Sequence, residues 1–140
     1  MNLSIQEKIE LILNFKTWYG YKKEDINDFP ELVKLVSLNG AYLEDATNLY
    51  KLTEDGENIL SGCIKQISEE FISFFKSKRY ILTVKDMQKW FMTFYSIDED
   101  MAKEISTYIA NNLGVYGYKA SYVYCSKYGN RIEFEKKDKN

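Results

Sequence analysis

The chain has 140 residues, of which 45% are hydrophobic and 16% aromatic, and a net charge of −2. That length fits one domain or two very small ones, and the 12 tyrosines and 8 phenylalanines exclude global disorder. Histidine is absent, which removes Ser-His and Cys-His nucleophiles and most zinc and iron sites; no metal or other cofactor is expected, and a binding protein is favoured over an enzyme.

Ser4-Ile5-Gln6-Glu7 has the form of a capping box, and Ile5, Ile9, Ile12 and Leu13 follow at helical spacing. A first helix is expected to about Tyr19, with Gly20 as its stop. Lys22 to Phe29 reads as a short acidic helical segment. Pro30 then opens a helix through Leu32, Val33, Leu35, Val36 and Leu38 that ends at Asn39-Gly40. Ala41 to Leu43 and Leu49 to Leu52 flank an Asp-Ala-Thr-Asn turn and predict a β-hairpin. Thr53 caps a long helix with Glu54, Asp55 and Glu57 in its first turn and an apolar stripe reaching Phe74 and Phe75, so that it runs from Glu57 to Lys78.

The second half opens with a short strand, Tyr80 to Leu82. Thr83 caps a helix with Val84, Met87, Trp90, Phe91 and Phe94 inward. Ser96-Ile97-Asp98-Glu99 reads as a turn and a second capping box, followed by a helix over 98–113 that buries Met101, Ile105, Tyr108, Ile109 and Leu113. Two strands, together spanning 116–135, close the fold around Lys127-Tyr128-Gly129. No run is long and apolar enough to span a membrane, since the stretch near Phe71 to Phe75 is broken by Ser73 and followed by Lys76. Met1-Asn2-Leu3-Ser4 lacks the basic and apolar pattern of a secretory signal, so a cytoplasmic location is expected. Cys63 and Cys125 have no metal-ligand or redox spacing and are expected as free, buried thiols.

Long helix, strand, helix, tight turn, helix and hairpin follow one another from Glu57 onward. The segment Phe94-Tyr95-Ser96-Ile97-Asp98-Glu99-Asp100-Met101-Ala102-Lys103-Glu104-Ile105 resembles the turn and recognition-helix start of the winged helix-turn-helix superfamily. In the first half, Leu35 to Leu43 followed by Leu49-Tyr50-Lys51-Leu52-Thr53-Glu54-Asp55-Gly56-Glu57 is similar to the wing and closing helix of MarR-like and PadR-like regulators. The resemblance implies a mainly α fold with two short β-hairpins, arranged as two abutting winged-helix units around a shared long helix: an N-terminal unit over 1–56 and a C-terminal unit over 57–140.

It further implies a DNA-binding transcriptional regulator, dimeric through the 57–78 helix, whose 98–113 helix enters a major groove while the 116–135 hairpin touches backbone. Off the apolar stripe of that helix lie Lys103, Ser106, Thr107 and Asn111, types that suit phosphate, guanine and adenine contacts. On the hairpin, Lys119 alternates with a row of Tyr118, Ala120, Tyr122 and Tyr124 expected mainly in the core, and Lys127, Tyr128 and Arg131 sit at or beside the tip. Charge agrees in sign: residues 1–70 carry −6 and residues 71–140 carry +4. Against it, Asp98, Glu99 and Asp100 would repel phosphate at the start of the reading helix. The acidic first half, whose Pro30 helix turns only Glu31, Lys34 and Ser37 outward, also fits a different class: a protein-interaction module, as a winged-helix subunit or small inhibitor of another macromolecule. An apolar surface patch of Trp18, Tyr19 and Tyr21 would mark that class.

Overall fold

The computed structural model describes residues 2–124, 127 and 129–137. Among these, five α-helices and two small antiparallel sheets form a mixed α/β chain that divides into two compact units, Met1–Gln66 and Ile67–Asn140. The division falls inside the long helix rather than ahead of it, because Leu60 of that helix packs into the first core and Phe71 into an aromatic cluster of the second. No described helix is long and apolar enough to cross a membrane.

In the first unit, α1 (Ile5–Lys16) starts at the expected capping box: Ser4 Oγ accepts from the Glu7 amide, and the Glu7 carboxylate accepts from the Ser4 amide. Lys34 pairs with the same carboxylate at 2.7 Å, and these bonds hold its pKa below the usual carboxylate value. A 3-10 turn (Lys23–Asn27) leads into α2 (Pro30–Ser37), with Pro30 in the first turn as expected. Asn39 rather than Gly40 supplies the left-handed residue after α2, at φ 59°. Strands β1 (Ala41–Glu44) and β2 (Leu49–Leu52) form the expected hairpin, and Lys22 makes a single bridge to Leu49 on the other edge of β2.

Leu11, Tyr21, Leu32, Leu35, Ala41 and Leu60 make the core of this unit. Tyr21 carries a polar group into it. Its hydroxyl donates to Glu31 at 3.1 Å and accepts from the Asn14 amide at 3.2 Å; burial, then the Glu31 charge, raises its pKa. Tyr21→Phe removes the shared partner and leaves the buried Glu31 carboxylate short of a donor. We expect a loss of about 1–3 kcal/mol in urea unfolding; an unchanged midpoint would mean that the trio contributes nothing.

The third helix, α3 (Glu54–Ile72), is capped by Thr53, whose hydroxyl accepts from the Gly56 amide at 3.0 Å. It stops six residues short of the expected Lys78. Ser73 turns its hydroxyl back onto the Glu70 carbonyl, and Phe74 and Phe75 extend the apolar stripe from a turn instead of from helix.

The second unit contains β3 (Arg79–Thr83), α4 (Val84–Tyr95), α5 (Glu99–Asn112), a 3-10 turn (Leu113–Tyr116), β4 (Tyr118–Val123) and β5 (Arg131–Lys136). Its sheet has the order β3-β5-β4, so the strand before the helix pair adds to the far side of the closing hairpin. The register puts Tyr80, Leu82, Ile132, Phe134, Tyr118 and Ala120 on the face that packs inward, and Arg79, Ile81, Glu133, Glu135 and Lys119 on the opposite face. Phe71 lies at the centre of the aromatic core, 5.1 to 5.5 Å from the rings of Phe75, Trp90, Phe91 and Phe134. Of the expected inward positions of α4, Met87 and Phe91 are buried but Phe94 is 47% exposed; Tyr95 is buried instead. Trp90 stacks on Phe94 at 4.8 Å.

Candidate nucleic-acid interface

The turn between α4 and α5 is tight because Ser96 takes a left-handed conformation at φ 54° and Ile97 is buried beneath it. The expected Ser96–Glu99 capping box does not form: Ser96 closes α4, and Asp98 caps α5 by accepting from the Met101 amide at 2.8 Å. One of the three acidic groups at this point is thus occupied with the helix start, while Glu99 and Asp100 are exposed.

Three of the four residues expected on the outer stripe of α5, namely Lys103, Thr107 and Asn111, are exposed and lie along one side of the helix. Ser106 is not among them. It is fully buried and its hydroxyl donates to the Lys103 carbonyl at 3.1 Å, so it has no surface to offer a base. The reason is a small-residue row: Ala102, Ser106 and Ala110 stand four apart and are all buried, the pattern of a helix that packs closely along that side. That spacing was the signal available in the sequence.

Asn111 accepts a hydrogen bond from the Tyr122 hydroxyl at 3.3 Å, which ties the end of α5 to β4. The tyrosine row on β4 is core at one end and surface at the other: Tyr118 is buried, Tyr122 is exposed, and Tyr124 is 81% exposed. The hairpin cations also separate. Lys119 is opposite Glu135 at the base of β4, in the same cross-strand row as Arg79. Arg131 is opposite Val123 at the turn end, half-buried, and Lys127 is exposed in the turn itself. Four residue steps along the strand separate Lys119 from the Arg131 row, roughly 13 Å. Tyr128 and Cys125 lie outside the described residues, and Cys63 is a buried free thiol whose pKa burial raises.

Two cations were missed. Lys85 and Lys89 stand four apart on α4, opposite its buried Met87 and Phe91, and with Gln88, Met92 and Glu99 they line a crevice of about 310 Å³ between α4 and α5. Their place on the polar side of an amphipathic helix was legible. That this side borders α5 was not, since it depends on the angle at Ser96.

In the first unit, Glu31 is buried against Tyr21 rather than turned outward, and Lys34 is engaged with Glu7; Ser37 is exposed. Of the aromatic trio, Tyr21 is core, whereas Trp18 and Tyr19 are exposed, Tyr19 at 96%. They border a groove of about 360 Å³ with Phe15, Tyr50 and Leu52. Among the described residues no three Cys, Asp or Glu side chains come together as a metal cluster. Comparisons with protein-family models, with curated proteins and with solved structures returned no match.

Proposed function

We propose that this protein is a DNA-binding regulator with a winged-helix C-terminal unit, a binding protein and not an enzyme, working in the cytoplasm. The element order from α3 onward carries the reading: helix, strand, helix, left-handed turn, helix and hairpin, with the first strand paired to the last. That is the order of a helix-turn-helix followed by a wing. The first unit repeats it in reduced form, because the Lys22 bridge to β2 stands where β3 pairs with β5. Both observations favour two winged-helix-like units.

In this reading α5 enters the major groove through Lys103, Thr107 and Asn111, and Asn111 is held by Tyr122 for contact with a base edge. Lys85 and Lys89 on one side, and Lys127 and Arg131 on the other, supply phosphate contacts. Anisotropy of a labelled random-sequence duplex tests it. With about four phosphate contacts, affinity falls roughly a hundredfold between about 50 and 200 mM salt. Saturable binding with no salt dependence would contradict it.

Dimerisation through α3 is part of this proposal, and it would be polar. The exposed positions of that helix are Glu54, Asp55, Glu57, Asn58, Ser61, Gly62, Lys65, Gln66 and Glu69, none of them apolar. A second reading, a protein-interaction module, draws on the aromatic groove beside Trp18 and Tyr19 and on the acidic first unit. It takes precedence if the folded protein binds no duplex at low salt.

A further inference from the structure

Three aromatic rings of the second unit stand at its surface and have no part in the DNA reading. Phe74 follows the end of α3, and Trp90 and Phe94 lie four apart on α4. Trp90 stacks on Phe94 at an interplanar angle of 11°, and Phe74 meets both rings edge-on, at 5.1 and 5.8 Å. Phe74 is 45% exposed, Phe94 nearly the same, and Trp90 is half-buried. A contiguous group of rings left in water marks an interaction surface.

The charges that α3 and α4 place beside these rings are negative. Asp86 is exposed one turn before Trp90 on α4. Glu70 precedes Phe74 by four residues, and its Oε1 is buried with no hydrogen-bond partner among the described residues. That carboxylate lies close enough to act on Tyr95, which packs 5.0 Å from Phe94 and 5.7 Å from Trp90: burial, then the Glu70 charge, raises the Tyr95 pKa. A carboxylate oxygen removed from water without a donor is costly, and a cation arriving at the rings supplies one. Lys85 and Lys89 do not serve; they line the crevice with α5, at least about 100° round the helix from Trp90.

We propose that this patch docks a basic segment of a protein partner, with an arginine or lysine side chain against Phe74, Trp90 and Phe94 and its charge on Glu70. Aromatic faces attract cations, tryptophan's most strongly, and the neighbouring carboxylate adds a charge-assisted hydrogen bond. Rings this open leave a free small cation mostly in water, whereas a side chain carried on a larger surface brings its own apolar cover. A nucleic-acid strand has bases to stack on such rings, but its phosphates would meet Glu70 and Asp86. The proposal uses neither α5 nor the hairpin. Glu70→Gln should therefore leave duplex binding unchanged, so the docking surface and the DNA reading succeed or fail separately.

NMR titration of the full-length protein, followed at the Trp90 indole N–H, tests the proposal. The probe is the acetylated and amidated peptide Ala-Arg-Ala, with its citrulline counterpart as a neutral copy of nearly the same shape. A saturable shift with the arginine peptide at millimolar concentration is expected. Affinity should be at least about threefold lower for the citrulline peptide, and for the arginine peptide with the Glu70→Gln protein. Asp100→Asn, which removes an exposed carboxylate on α5, should leave it within about 1.5-fold. Phe94→Leu keeps an apolar side chain but removes a ring, and should cost a similar factor to Glu70→Gln; it carries the test if Glu70→Gln disturbs the fold. Equal affinity for the two peptides, equal losses in Glu70→Gln and Asp100→Asn, or no shift at Trp90 would overturn the proposal. So would a dimer in sedimentation equilibrium that Phe94→Ser dissolves, which would assign the patch to a second copy. A Trp90 shift with single-stranded oligothymidylate and none with the arginine peptide would assign it to nucleic acid and likewise overturn it.

Discussion

Phe71→Ala lowers the stability of the C-terminal unit by about 3–5 kcal/mol, a loss that leaves so small a unit largely unfolded near its usual working temperature. The ring is 3% exposed and meets four others within 5.5 Å. It joins the end of α3, the inner side of α4 and the central strand β5 through Phe75, Trp90, Phe91 and Phe134. Truncation removes the transfer energy of a buried phenyl group, and with it several tilted and edge-on ring contacts worth roughly 0.5–1.5 kcal/mol each. The surrounding rings cannot collapse fully into the space, so a cavity adds to the cost. Thermal unfolding followed by near-ultraviolet circular dichroism should show a midpoint at least about 12 °C lower. A decrease equivalent to less than about 1 kcal/mol would show that Phe71 is not the centre of this core.

Gly56→Ala and Gly62→Ala lie in the same helix and should change stability in opposite directions. Helix propensity alone favours alanine at both by about 1 kcal/mol. At Gly62 nothing lies within 4 Å of the added Cβ, so that gain, roughly 0.5–1 kcal/mol, should be realised. At Gly56 the added Cβ would stand 1.8 Å from the Gly40 carbonyl oxygen and 2.7 Å from its carbon. That oxygen already accepts from the Thr53 amide at 3.0 Å, which fixes the exit of the hairpin against the start of α3. Backbone has to move, and overpacking costs of about 3 kcal/mol outweigh the propensity gain. Urea midpoints above wild type for G62A and well below it for G56A are the expected outcome. A neutral G56A would contradict the close approach.

What the sequence made legible here is mostly local. The Ser4–Glu7 cap, Pro30 in the first turn of α2, the 41–52 hairpin and the Thr53 and Thr83 caps each depend on contacts within a few residues. The errors are tertiary or stereochemical. Aromatic periodicity suggested helix through Phe75, yet a phenyl ring packs equally well from a turn, and Ser73 ends α3 by bonding backward. Glu31 looked like a solvated helix residue because its partner Tyr21 arrives from another segment. Ser106 looked like a reading residue because it is polar, although the buried Ala102–Ser106–Ala110 row marked that side as one of close packing. Arg131 was expected at or beside the tip and lies at the turn end, opposite Val123, while the register puts Lys119 at the base of the hairpin, opposite Glu135.

The functional proposal rests on α5 and the hairpin turn forming one surface for duplex DNA. Its most direct test is an anisotropy titration of random-sequence duplex at about 50 mM salt, comparing wild type with Lys127→Glu/Arg131→Glu and with Lys119→Glu. The account predicts binding by the wild type, a loss of at least about tenfold in the double variant at the turn, and a much smaller change for K119E, whose charge is opposed by Glu135 at the far end of the strand. Undiminished binding in the double variant, or no binding by a well-folded wild type, would contradict it.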